Sequence, residues 1–415
     1  MKRITKKIFL YSLCICAAFQ FFTCKENSPT GPTSKTRAAL WEEDINYFSS
    51  QLKANEYGLS SLISIQSFDN NLNNLKSSID SLKDYEIYFK LQQLIASFKV
   101  AHITSVPSSK IKLHLLPFNT FVFSDGVYVI SADQNNSALL GKKIIGVGGT
   151  AIQTVEDSLK KIISHENDYW FEDQLPTALS CIEVLKYYGF ATSDSSAEID
   201  IEGGGKTTIT ASANSVGMIN ILNGKTLPLY LQNQSSNYWY SFIAANNALY
   251  IKYNKCANST DVSFSNFTNN VKDFISSNQV NKIIVDLRNN GGGNSSIINP
   301  LVNYIISSPY NQTGKLFVIT NRGTFSSALM NAISFKQSTN SILVGEATGG
   351  KPNSYGEVST FNLPNSGIAV NYCTKYFQAM SGDPESLFPD YNIEMTFEDF
   401  INCKDAMLEY ILNYK

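Results

Sequence analysis

The stretch Lys282-Ile283-Ile284-Val285-Asp286-Leu287-Arg288-Asn289-Asn290-Gly291-Gly292-Gly293 decides how this 415-residue chain is read. Four of its first six positions, Ile283, Ile284, Val285 and Leu287, are apolar, and they do not alternate with polar ones. That is the signature of a strand covered on both faces, as in the sheet of a layered α/β protein. Three glycines follow at once. They allow backbone conformations that a Cβ forbids, and they let the chain approach a ligand closely. Successive N–H groups in such a loop can converge on an anionic oxygen. A phosphate loop would place Lys-Ser/Thr after the glycines, and Asn294-Ser295 stands there instead.

The same texture extends on both sides. Ala248-Leu249-Tyr250-Ile251 reads as a strand and 264–275 as a helix. After the glycines, 297–306 reads as a helix broken near its start by Pro300. Leu316-Phe317-Val318-Ile319 is a strand, 327–335 a helix and Ile342-Leu343-Val344 a strand. Regular alternation of this kind predicts an α/β layered core from about Tyr238 onward.

Two further motifs lie at strand ends within this core. Arg322-Gly323-Thr324-Phe325-Ser326-Ser327-Ala328 opens a helix directly after a strand. A serine at such a turn exposes its hydroxyl, and the N–H of Ser327 sits at the positive end of the helix dipole. The competing reading is a plain helix N-cap, a common task for serine. Past the next strand comes Gly349-Gly350-Lys351. If the strands are parallel, Lys351 lies on the same side of the sheet as Ser326. A lysine amine loses its proton near pH 10.4 and becomes a base at neutral pH only when burial lowers that value. The competing reading is a solvated loop lysine.

The three motifs in this order resemble the C-terminal processing (tail-specific) serine peptidase family, which includes the tricorn core. The resemblance rests on Asp286-Leu287-Arg288-Asn289-Asn290, the glycines, the Gly-Thr-x-Ser turn at 323–326, Lys351, and Pro389-Asp390 later on. It implies a crotonase-like α/β peptidase core that hydrolyses peptide bonds. Ser326 would be the nucleophile and Lys351 the general base. The N–H groups of Ser327 and of Gly292 or Gly293 would form the oxyanion hole. His102, in Val100-Ala101-His102-Ile103-Thr104, stands where tricorn-like relatives carry Asp-Gly-His-Thr, so it is the alternative base. Its imidazole would serve without burial. Phe325 and Val100 depart from the family pattern. They motivate the opposing reading of a catalytically inactive, peptide-binding protein with the same fold.

Upstream, Trp41, Ile45 and Phe48 recur at helical spacing, as do Leu75, Ile79 and Leu82, which predicts a helical domain over 39–110. After Pro107 the texture turns to β. Residues 120–123 and 127–130 flank Asp125-Gly126, a hairpin turn. A strand, the Gly146-Val147-Gly148-Gly149 turn and a helical run over 155–163 follow. This order resembles a PDZ-like module, which implies a region over 111–200 that binds extended peptides. Gly203-Gly204-Gly205 marks another hairpin. The catalytic core is then 201–415.

The head of the chain reads as an address. Lys2, Arg3, Lys6 and Lys7 precede an apolar run over 8–22, which ends at Phe21-Phe22-Thr23-Cys24. The run is short for a membrane span and suits a secretory signal over 1–23. It resembles a bacterial lipoprotein signal, which implies lipidation of Cys24. A polar linker over 24–38 and a lipid-anchored location in the bacterial cell envelope follow from it. The whole chain has 33 basic and 35 acidic residues, a net charge of −2, and removal of 1–23 would leave −6. Neither value gives nucleic acid a reason to bind. Cys181, Cys256, Cys373 and Cys403 lack metal-ligand spacing, so no metal and no cofactor are expected, and most are read as free buried thiols. The expected partners are protein or peptide substrates and the membrane.

Overall fold

The computed structural model describes residues 35–212 and 217–415. The signal segment, Cys24 and most of the linker lie outside the described residues. Three main helices, Arg37–Asn55, Ile65–Ser78 and Asp84–Ala96, open the described chain. The predicted periodicity is what they bury. Trp41, Ile45, Phe48 and Leu52 on the first meet Phe68, Leu72 and Leu75 on the second. Thr36 and Ser64 cap these helices by accepting from Ala39 N and Ser67 N.

An antiparallel sheet follows. Phe118–Phe123 and Gly126–Ala132 form the expected hairpin, closed with Phe123 opposite Gly126. The sheet continues through Lys143–Val147, Ser196–Ile201 and Gly205–Thr210, in that spatial order. The helix predicted over 155–163 forms at Ile152–Leu159, and a second, Asp168–Ser180, packs across the sheet's first strand. The core of this region is continuous with that of the N-terminal helices.

The third unit is a six-stranded sheet in the order Tyr391–Asn392, Ile342–Gly345, Leu316–Thr320, Lys282–Asp286, Ala248–Tyr253, Tyr238–Ile243. All neighbours are parallel except the last pair. Ile283 and Val285 face one apolar layer with Leu301, Val302 and Leu329. Ile284 faces the other with Met407, Leu408 and Ile411. Helices on both sides are why these strands show no polar alternation. Pro300 does not break a helix. A 3-10 turn, Ser295–Ile298, comes first, and Pro300 lies in the opening turn of Asn299–Ile306, where its missing N–H costs nothing.

A long hairpin, Asn353–Asn362 with Ala369–Gln378, leaves this core and pairs with Thr104–Val106, just beyond the N-terminal helices. It carries Lys351 at its root and draws the His102 turn into the same neighbourhood.

Candidate active site

The strand Leu316–Thr320 ends at Asn321, and the turn after it is held to the neighbouring strand end. Thr324 Oγ1 donates to Leu287 O at 3.0 Å, and Phe325 N donates to Asn290 O at 3.0 Å. Ser326 then takes φ 53° and ψ −124°, a conformation that an L side chain rarely adopts. Its side chain caps nothing in the helix Ser327–Ser338 that begins next, so capping does not explain this serine.

Asn290 is buried and organises the glycine loop. Its Nδ2 donates to Tyr253 O at 2.8 Å, and its Oδ1 accepts from Gly292 N at 2.9 Å. That occupies the Gly292 N–H. The N–H groups of Gly293 and Ser327 have no partner among the described residues. Ser327 Oγ donates to Gly293 O at 2.7 Å, tying the two segments together. Cys256 clamps the loop from behind, donating to Gly292 O at 3.1 Å and accepting from Asn294 N at 2.7 Å. Gly292 has φ +106°, and a Cβ there would lie 2.9 Å from Ser326 Cβ and from Ser327 N. Only glycine lets this loop pass so close to the serine turn.

Beneath the loop lies a buried ion network. Asp286 meets Lys252 Nζ at 3.2 Å, Tyr250 OH at 2.6 Å and the Arg288 guanidinium, which also binds Asp405 at 2.8 and 2.9 Å. Burial works against the Asp286 charge, but Arg288 and Lys252 outweigh it and hold the carboxyl well below its usual range. The charged residues of the 286–290 motif are therefore support for the loop, each with a partner of its own.

The strands bearing Ser326 and Lys351 are parallel neighbours, so both residues leave the same end of the sheet. Gly349 N donates to Thr324 O at 3.2 Å and joins the two loops. The Lys351 ammonium is paired with Asp383 at 2.6 Å and is about a quarter exposed (26 %). No hydrogen bond links Lys351 or His102 to Ser326 among the described residues.

His102 lies in the turn before Thr104–Val106. Its ring stacks on Phe325 at 4.5 Å and 25°, and Phe325 stacks on Trp170 at 3.8 Å. Its Nδ1 is buried without a partner among the described residues. Burial lowers its pKa to about 4, so the imidazole is neutral at pH 7. Phe325, a departure from the family pattern, is thus the surface on which His102 rests beside Ser326.

Glu166 was not singled out from sequence. Its carboxylate accepts from Ala101 N at 3.3 Å and from Lys351 N at 3.0 Å. Nothing in Ser164-His165-Glu166-Asn167 announces this, because both partners are distant in sequence. Cys181, Cys256 and Cys373 are buried free thiols, and Cys403 is a partly exposed one.

Residues 307–393, which include Ser326 and Lys351, match the model of Peptidase family S41. No curated protein sequence matches the chain. Among solved structures it is similar to mature CPAF, with a TM-score of 0.64 and 12 % identity over 90 % of this chain and 96 % of that one. It is similar also to mature CPAF complexed with lactacystin, with a TM-score of 0.63 and 12 % identity over 90 % and 97 % of the two chains.

Proposed function

With the family match and the shared fold supporting a serine-type peptidase of family S41, we propose that the chain cleaves unfolded or C-terminal protein segments using Ser326 as nucleophile and His102 as general base. The observation that carries this reading is the strained Ser326 beside the unpartnered N–H groups of Ser327 and Gly293. In the first half-reaction the Ser326 oxygen bonds to the peptide carbonyl carbon while its proton passes to the neutral His102. The two N–H groups receive the negative oxygen. The C–N bond then breaks, and His102 returns the proton to the departing amine. Water repeats the sequence and releases the acid, leaving Ser326 and His102 as they began.

One observation favours a second reading with Lys351 as the base, since the Gly349–Thr324 bond seats its loop against the serine turn. Against it stands the geometry, since the Lys351 amine is turned to Asp383 at 2.6 Å and makes no hydrogen bond to Ser326 among the described residues. Rates on a disordered polypeptide across pH would separate the two. Ser326→Ala should abolish hydrolysis, and retained activity would end the peptidase reading for this serine. A loss of about 10³-fold in His102→Ala but not in Lys351→Ala supports the imidazole, and the reverse supports the amine. Lactacystin, with which mature CPAF is complexed, supplies a probe whose labelling should depend on Ser326.

Separately, from the basic, apolar and Cys24-ended head of the sequence alone, we propose that a lipid on Cys24 holds the protein at the bacterial cell envelope. Incorporation of labelled palmitate should be lost in Cys24→Ala.

A further inference from the structure

Glu166 stands at the entry to the helix Asp168–Ser180, and several segments around Ser326 meet there. Its Oε1 accepts from Ala101 N, one residue before His102, and its Oε2 accepts from Lys351 N. The next residue, Asn167, caps the helix through Trp170 N at 2.9 Å and donates to Thr348 O at 3.3 Å and Glu385 O at 2.9 Å. Trp170 then carries Phe325, and Ala101, Trp170 and Phe325 close a small buried cluster. We infer that Glu166 is a positioning residue, whose two carboxylate oxygens hold the His102 turn and the Lys351 loop in register around Ser326. This rests on the reading of Ser326 given above.

Two acceptor oxygens facing two N–H donors are an arrangement only a carboxylate satisfies. A glutamine offers one oxygen and turns an NH₂ group towards the other donor. Protonation has a similar effect, placing a hydrogen against one of the N–H groups. Burial raises the Glu166 pKa to about 7, and the two backbone donors only partly offset this. The titratable groups around it are Lys351, whose charge acts on it, His102 beyond Ala101, its chain neighbour His165, and the buried Cys373 thiol. Turnover should therefore rise as pH climbs through about 7. Stability moves the other way. The folded value exceeds the ordinary 4.5, so the contribution of Glu166 to stability is full below 4.5 and is lost as pH rises through about 7. A merely structural role could not give opposite trends.

The test measures kcat, KM and thermal melting for wild type, Glu166→Gln, Glu166→Asp and Ser326→Ala from acid to alkaline pH on a disordered polypeptide. Glu166→Gln should lower kcat about 10- to 100-fold at alkaline pH, with KM unchanged. It should also erase the inflection near 7 while melting no lower than wild type at that pH. Wild-type kcat with the inflection kept would overturn the inference. If the glutamine variant melts below the assay temperature, Glu166→Asp decides. Its carboxylate titrates but is one methylene short, so lowered kcat at unchanged KM supports positioning, and wild-type kcat overturns it. Activity in Ser326→Ala would instead count against the peptidase reading itself.

Discussion

Replacing Gly292 by alanine tests the geometry around Ser326 most directly. Two costs can be worked out. At φ +106° an L side chain is strained, which is worth about 1–3 kcal/mol. The new Cβ would also lie 2.9 Å from Ser326 Cβ and from Ser327 N, and 3.2 Å from Phe325 O. Two of these three atoms are backbone and cannot swing aside, so overpacking adds about 1–3 kcal/mol. The methyl group would press against the N–H proposed to receive the developing negative charge. Removing one such donor costs about 10²–10³ in rate. Gly204→Ala is the control, because Gly204 has φ +85° with nothing within 4 Å of a Cβ. It carries the strain without the contact and lies in a hairpin turn remote in sequence from the site. Hydrolysis of a dye-labelled disordered polypeptide, measured beside urea unfolding, separates the effects. Both variants should lose stability, and only Gly292→Ala should lose about 10²-fold or more in kcat/KM. If Gly292→Ala matched Gly204→Ala in kcat/KM, charge would not develop beside Ser327 N–H, and the assigned geometry would be refuted.

Four further outcomes are expected. Glu56 is 6 % exposed, accepts from Cys373 N at 2.7 Å and is raised by burial to about 7 from an ordinary 4.5. Its stabilising contribution is full below 4.5 and lost as pH rises past about 7. Glu56→Gln should therefore gain up to about 3 kcal/mol at alkaline pH and nothing in acid, and a loss at alkaline pH in urea titrations would contradict this. Asp286→Asn leaves the buried Lys252 and Arg288 charges short of their shared partner and should cost about 3–5 kcal/mol in denaturant unfolding; a cost below about 1 kcal/mol would show that the network is not needed. Because the four cysteines from Cys181 onward are free thiols, reductant should leave the melting temperature unchanged. Among these four, brief alkylation followed by mass spectrometry should mark Cys403 first.

Much of the core is legible in sequence because its signals are local. The apolar runs at 282–287 and 316–319 are buried on both faces in a parallel sheet, as their lack of alternation implies. The serine turn and the glycine loop were also readable, since a strand end, glycines and a helix start lie within a few residues. The supports beneath them were not. Asp286 finds Lys252 and Arg288 finds Asp405, and no spacing rule links those positions. Lys351 illustrates the limit well. Its place after a buried strand followed from sequence, but the parallel pairing of that strand and the ion pair with Asp383 did not.

Sequence by itself therefore pointed to the layered α/β core, to Ser326 as the nucleophile candidate, and to Ser327 with Gly292 or Gly293 as candidate backbone donors. Each was flagged by a local pattern of strand, turn and helix start within its own stretch of chain. Tertiary structure decided that the His102 imidazole is neutral, which glycine N–H is free and which carboxylate faces both loops. Those properties depend on desolvation and on hydrogen bonds between segments that only folding brings together. His102 is neutral because its half-buried ring is desolvated against Phe325, and Glu166 matters because Ala101 and Lys351 both turn their N–H groups towards it.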